Sequence, residues 1–230
     1  MALDLEAVGP GEFVCFDAGA LIHFNRIGEL ERLGQWFPDS YTAEYVMREE
    51  IVAWKHKYGG NEAIENAEWL TVIDADSTED AALMAQLSRR FERGGSKNIG
   101  ELHVIALTAR YEGTAIIEDA QARNAARAAA VKSTYWVSML GAAVVSGLLD
   151  AEKAWDIQSR LEDGRDRSVI RGGEKSKFEA MVAAMSEWGE KRGWRDWPAC
   201  LYNNGLDVIA VGAAKEQLGD PAFRKRIGLG

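Results

Sequence analysis

The sequence predicts an α/β fold: a central parallel sheet of four to five strands with helices on both faces. Short apolar runs alternate with segments of helical period, and such alternation usually builds a parallel sheet through right-handed crossovers. In sheets of this kind, ligands bind outside the carboxyl ends of the strands. The predicted strands are residues 13–16, 69–73, 114–117 and, more weakly, 135–137.

The helices between these strands are predicted from the spacing of their apolar residues. Leu83, Leu87 and Phe91 fall at intervals of four, which places them on one helix face. A second helix begins near Gly100 and continues to about Tyr111. Residues 41–43 precede a further segment of helical period. Another helix is predicted to begin directly after Asp17. Three more are predicted over residues 121–130, 140–149 and 151–161.

The regular alternation fades around Gly164, where a polar stretch predicts a linker. We therefore expect one domain over residues 1–162 and a mainly helical C-terminal extension of unknown role over residues 163–230. One more helix is predicted near Phe178, and three tryptophans follow it at Trp188, Trp194 and Trp197. Packing is the favoured interpretation of these tryptophans over stacking on bases.

Composition excludes several classes of protein. The net charge of −9 argues against a protein that coats nucleic acid generally, and the acidic excess is compatible with a carboxylate cluster that needs a cation. The two cysteines, Cys15 and Cys200, provide no disulfide framework and no cysteine metal site. No run of about 18 apolar residues is present, and the first residues do not resemble a secretory signal. We expect a cytoplasmic protein with no membrane partner.

Two acidic residues directly follow predicted strands. Asp17 follows residues 13–16, and Asp119 follows residues 114–117, so both should reach the same edge of the sheet. Each also has a simpler interpretation as the N-cap of the next helix. Glu101 lies in the first turn of a helix, where any acid is favoured by the helix dipole, and Glu49 lies in a charged stretch typical of a solvated helix face.

Four local motifs, in order, resemble those of the PIN domain family over roughly residues 12–160. The strand before Asp17 resembles the family's opening strand and first acid. The Val-Met-Arg-Glu run that ends at Glu49 resembles the second acid, with Glu50 as its rival. The Gly-Glu-x-x-x-Ile-x-Leu-x-Ala pattern from Gly100 resembles the third acid, at Glu101. Ile-Ile-Glu-Asp followed by an arginine-containing helix resembles the fourth, assigned to Asp119, whereas the family usually has Asp-Asp at this place.

The resemblance implies a PIN-like three-layer α/β/α fold and a metal-dependent ribonuclease, in many prokaryotes the toxin of a toxin–antitoxin pair. It implies Mg²⁺ or Mn²⁺ held by Asp17, Glu49, Glu101 and Asp119, which would also be the catalytic residues. Hard cations of this kind prefer oxygen ligands. RNA is the implied substrate, and an antitoxin protein and a homodimer are the implied partners. Arg123 ranks first among the basic residues for holding a substrate phosphate, ahead of Lys97 and Arg127.

The principal alternative is a PIN-like module that no longer cuts and instead binds RNA or protein, because a fold alone does not confer activity. A phosphatase of the type that needs a second Asp two residues after the first is excluded, since Gly19 occupies that position. Glycine-rich nucleotide-binding patterns are not found after the first strand. His23 and His103 are assigned structural or surface roles, and Cys15 a place in the core.

Overall fold

The computed structural model describes residues 13–53, 60–91, 98–145 and 148–163, and shorter pieces at 175–176, 178–180 and 182–183. Most of the expected C-terminal extension, including its three tryptophans, lies outside the described residues. The domain boundary expected after residue 162 stays a prediction for the same reason. Within the described residues, no helix is both long and apolar enough to cross a membrane.

The predicted parallel sheet is confirmed, with five strands in the order β3-β2-β1-β4-β5. β1 pairs in parallel with β2 on one side and with β4 on the other, and β2 pairs in parallel with β3. Cys15, at the centre of β1, lies beside Tyr41 and Ala115. The strands are β1 (Val14–Phe16), β2 (Ser40–Ala43), β3 (Leu70–Ile73), β4 (Thr114–Ile116) and β5 (Lys132–Thr134).

Two strands differ from the expectation. β2 was not predicted, because Ser40 and Thr42 are polar although all four of its residues are buried. The strand predicted at 135–137 is wrong: β5 ends at Thr134, and a helix begins at Trp136. Tyr135, Trp136 and Val137 are all buried, and a short apolar run does not reveal whether a buried segment is strand or helix.

The helices connect the strands as the alternation predicted. A π-helix, Val46–Val52, follows β2 where an α-helical period was expected. The α-helices are α1 (Ala18–Arg26), α2 (Leu30–Trp36), α3 (Glu62–Glu65), α4 (Thr78–Phe91), α5 (Ile99–Arg110), α6 (Ala120–Ala128), α7 (Trp136–Val145) and α8 (Ala151–Asp163).

The chain forms two compact units, residues 1–133 and 134–230. In the described part of the first unit, the core is built from buried side chains of β1 and β4 and from helices such as α5, whose Val104, Ile105 and Leu107 are fully buried. In the second unit α7 packs against α8, and the ring of Trp155 lies 6.0 Å from that of Phe178.

The strand order determines where a ligand site can form. From β1 the chain goes to β2 and β3 on one side of the sheet, and later to β4 on the other side of β1. The connections therefore diverge between β1 and β4, and the crevice outside the carboxyl ends of these two strands is the place where such sheets bind ligands. Asp17 directly follows β1, and residues 117–119 directly follow β4.

Candidate active site

Asp17 joins the ends of β1 and β4. Its Oδ1 accepts a hydrogen bond from the backbone N–H of Ala20 (2.9 Å), so the residue is the N-cap of α1. Its Oδ2 accepts from the backbone N–H of Glu118 (2.8 Å), 101 positions further along the chain. The residue is only 4% exposed. The expected cap and the expected position at the sheet edge are thus both found, in one buried carboxylate.

Asp119 begins α6 on the other side of the crevice. Its Oδ1 accepts from the backbone N–H of Ala122 (2.8 Å), which makes it the N-cap of that helix. The loop before it is held by Arg123, whose Nη1 donates to the carbonyls of Ile117 (3.0 Å) and Glu118. Arg123 therefore fixes the loop that carries the fourth acid, and its contact with a substrate phosphate stays a prediction.

The π-helix decides which of two neighbouring glutamates faces the site. In an α-helix, residues 49 and 50 would both share the face of buried Val46, since neighbours lie three and four positions apart. Here the turn is wider, as the hydrogen bond from Ala53 N to Arg48 O shows by spanning five residues. Glu50 and buried Ile51 then share the inner face.

The structure places Glu49 differently from the expectation. Its side chain is 45% exposed, and its Oε1 accepts a hydrogen bond from Nε of Arg48 (2.8 Å), which is itself 65% exposed. For Glu50, burial and then the nearby Asp17 carboxylate raise the pKa, whereas Glu49 interacts with Arg48 and raises the pKa of that guanidinium. Glu50, the rival in sequence, is the second acid at the crevice.

Glu50 and Glu101 meet at the start of α5. Glu50 accepts a hydrogen bond from the backbone N–H of Gly100, and Glu101 from its own backbone N–H. Burial, and then the charge of Asp17, raise the pKa of Glu50 to about 7. Burial and Asp17 likewise raise the pKa of Glu101 to about 8, with smaller contributions from Glu50 and Asp119. The charges of Asp17, Glu50 and Asp119 therefore all act on Glu101, which places the four carboxylates close to one another.

These carboxylates fit a hard divalent cation in their chemistry. All their donors are oxygens, and Oε2 of Glu101 is buried with no hydrogen-bond partner among the described residues. No three acidic, histidine or cysteine side chains in the described part of the chain form a ready-made ligand group as they stand. Mg²⁺ tolerates this arrangement, because it keeps several waters and is usually held by only one or two carboxylates together with substrate phosphates.

A histidine–glutamate contact beside Asp17 was not foreseen from sequence. Nε2 of His23 lies 3.5 Å from Oε2 of Glu118, and both side chains are largely buried. His23 lies on α1 and Glu118 follows β4, so only the pairing of β1 with β4 brings them together. No spacing in the sequence could have revealed this contact.

The remaining candidates lie elsewhere. The ring of His103 stacks on that of Tyr45 with centroids 5.0 Å apart, which agrees with its assigned structural role. Arg127 donates to Oδ1 of Asn124 on the exposed face of α6. Lys97 lies outside the described residues. Cys15 is fully buried in β1, and its burial raises the pKa of the thiol.

Fold and site together define an α/β protein with a carboxylate cluster at the point where its sheet connections diverge. A family model described as a PIN domain matches residues 13–165. This match covers well over half of the chain, so the protein belongs to the PIN domain family, whose members are generally nucleases. No curated protein and no solved structure gives a significant match.

Proposed function

We propose that the protein is a divalent-metal-dependent endoribonuclease whose Mg²⁺ or Mn²⁺ is held at the crevice between β1 and β4. The observation that carries the proposal is the burial of Glu50 and Glu101 beside Asp17, which raises the pKa of both glutamates. Carboxylates that repel one another in a buried place are unfavourable unless a cation neutralises them. Strongly shifted pKa values of this kind are commonly found at catalytic sites.

Each acidic side chain would have its own role in the site. Asp17 is rigid, because backbone N–H groups hold both of its oxygens, and it would provide the fixed ligand at the centre of the site. Glu50 and Glu101, whose Oε2 has no hydrogen-bond partner in the described part of the chain, would be the ligands that complete the site on the α5 side. When bound, the metal would lower the pKa of a water and stabilise charge on the attacked phosphate. Asp119, exposed at the outer edge, would face incoming substrate.

Single-stranded or looped RNA is the substrate we propose, because splayed strands expose the scissile phosphate. The net charge of −9 opposes association with a polyanion, so binding has to use local positive charge. By analogy with the family, a toxin role regulated by an antitoxin protein, and a homodimer, are further proposals. Growth arrest on expression of the intact protein, absent with Asp17→Asn, would support the toxin role.

The two neighbouring glutamates provide a matched test. Wild type, Glu50→Gln and Glu49→Gln are titrated with Mn²⁺ by calorimetry, and each is assayed for cleavage of a labelled single-stranded oligoribonucleotide. We expect Glu50→Gln to lose at least tenfold in Mn²⁺ affinity and most of the cleavage, and Glu49→Gln to match wild type. Asp17→Asn should abolish both. Equal losses in Glu49→Gln and Glu50→Gln would contradict the assignment, and no Mn²⁺ binding by wild type would contradict the proposal.

The second candidate is a PIN-like module that binds RNA or protein without cutting. Two observations favour it: Asp17 and Asp119 both cap helices, and the described residues contain no preformed three-ligand group. In that case RNA would bind equally well with chelator or with Mn²⁺, and Asp17→Asn would lower only the free energy of unfolding. Cleavage that requires the metal and disappears with Asp17→Asn would exclude this candidate.

A further inference from the structure

Two glycines occupy the same place in two different helices. Gly19 is the second residue of α1, and Gly100 is the second residue of α5. A glycine in a helix is less favourable than alanine by about 0.5–1 kcal/mol. A positive φ, the usual reason for glycine, is found among the described glycines at Gly28 and Gly60 instead. Another reason must therefore favour glycine at positions 19 and 100.

At Gly100 the reason is the carboxylate of Glu50. A Cβ built on Gly100 would lie 2.6 Å from Cδ and 2.7 Å from Oε2 of Glu50, closer than real Cβ atoms approach other atoms. The same carboxylate accepts the backbone N–H of Gly100. The side chain that would be pushed away is flexible at its far end, so a methyl group at position 100 would move the carboxylate and leave the helix in place.

The arrangement is repeated at the other glycine. A Cβ on Gly19 would lie 2.5 Å from Oε2 of Glu118 and 3.1 Å from its Cβ. At both positions, a glutamate from another element occupies the space beside Asp17 that the Cβ of a larger residue would fill. Two occurrences at equivalent helix positions indicate that the space is used for placing carboxylates.

We propose that Gly100 is a positioning residue for Glu50: by having no side chain, it lets the Glu50 carboxylate lie against the start of α5, next to Asp17 and Glu101. The inference rests on the proposed metal site but concerns a residue with no ligand atom of its own. It implies that glycine at position 100 makes α5 less stable than alanine would, and that this glycine is needed to position the Glu50 carboxylate.

The test is a double-mutant cycle of Gly100→Ala and Glu50→Ala, with Mn²⁺ alone as the probe and Glu49→Ala as the matched control. We expect Gly100→Ala to lower Mn²⁺ affinity about tenfold or more while its Tm in chelator stays equal or rises. In the Glu50→Ala background, Gly100→Ala should cause no further loss of affinity. Unchanged affinity in Gly100→Ala, additive losses in the double variant, or a clearly lowered Tm would each overturn the inference.

A second measurement separates this inference from the proposed function. Metal-free crystal structures of wild type and Gly100→Ala should show the Glu50 carboxylate displaced and the α5 backbone unmoved. If wild type binds no Mn²⁺, the proposed function fails, yet this comparison still decides whether Gly100 positions Glu50. An unmoved Glu50 carboxylate with a shifted α5 would overturn the positioning role.

Discussion

Replacing Glu101 by Gln should make the metal-free protein more stable at high pH, because Glu101 is largely buried and lies among other acids. Its pKa is raised from 4.5 to about 8, first by burial and then by Asp17. In the folded protein Glu101 therefore keeps a proton that the unfolded chain loses above about pH 4.5. Its contribution to stability is complete below that pH and is lost as the pH rises through about 8. The neutral Gln avoids this loss.

The size of the effect follows from the pKa. One pKa unit corresponds to about 1.4 kcal/mol, so the raised value sets an upper bound of about 5 kcal/mol. Solvent reaches part of the side chain and screens the repulsion, and we expect about 2 kcal/mol. Urea unfolding in chelator should give equal free energies for Glu101→Gln and wild type near pH 4.5, and a growing advantage of the variant up to pH 8.5.

The control for this experiment is Glu49→Gln, in which a glutamate that is exposed and close to the site in sequence is neutralised. Its free energy of unfolding should follow that of wild type within about 0.5 kcal/mol at every pH. With Mn²⁺ present the order should reverse, because wild type would gain the binding free energy and Glu101→Gln would lose a proposed ligand. Parallel pH profiles of Glu101→Gln and wild type in chelator would refute the burial of Glu101 beside Asp17.

Three further predictions concern the parts that support the site, each checked by urea unfolding. Asp80→Asn should lower the free energy of unfolding by about 2–3 kcal/mol, because Asp80 is 2% exposed and pairs with Arg110. A loss in the double variant Asp80→Asn/Arg110→Met equal to the sum of the two single losses would show that the pair is not coupled. Asn61→Ala should lower the free energy of unfolding by about 1–3 kcal/mol and weaken Mn²⁺ binding, since Nδ2 of buried Asn61 donates to the carbonyl of Ile51 (3.0 Å) inside the π-helix. Unaltered Mn²⁺ affinity would show that this hydrogen bond does not support the site. Thr42→Val should lower the free energy of unfolding by about 1 kcal/mol, because Oγ1 of Thr42 donates to the carbonyl of Phe16 (2.9 Å) next to Asp17. A free energy of unfolding equal to that of wild type would mean that the Phe16 carbonyl finds another donor.

The positions that the sequence predicted for Asp17, Asp119 and Glu101 have a local cause, and the roles of these residues as metal ligands stay predictions. Asp17 directly follows an apolar strand, Asp119 comes three residues after β4, and Glu101 lies in the first turn of a helix that is rich in buried apolar residues. Each position depends on a few neighbouring residues, so the parallel sheet and its carboxyl edge could be inferred without coordinates. The match to the PIN domain over residues 13–165 agrees with this inference.

The errors arose where local preference and tertiary packing disagree. Tyr135, Trp136 and Val137 favour a strand by residue type, yet two of them begin α7, since burial satisfies such side chains in either element. β2 escaped detection because Thr42 is polar, and its hydroxyl reaches a bonding partner only when β2 lies beside β1. In both places the deciding contact comes from another part of the chain.

By itself, the sequence determined the fold class and predicted that Asp17, Glu101 and Asp119 gather near the carboxyl edge of the sheet, where their role as metal ligands stays a prediction. Only the tertiary structure decided which of Glu49 and Glu50 lies beside them. A period of 3.6 residues leaves Glu49 and Glu50 equally close to the face of Val46. The five-residue hydrogen bond of the π-helix turns Glu50 inward and leaves Glu49 with Arg48 in solvent. The inner position is possible because Gly100, on a helix fifty residues away in sequence, has no side chain where the carboxylate lies.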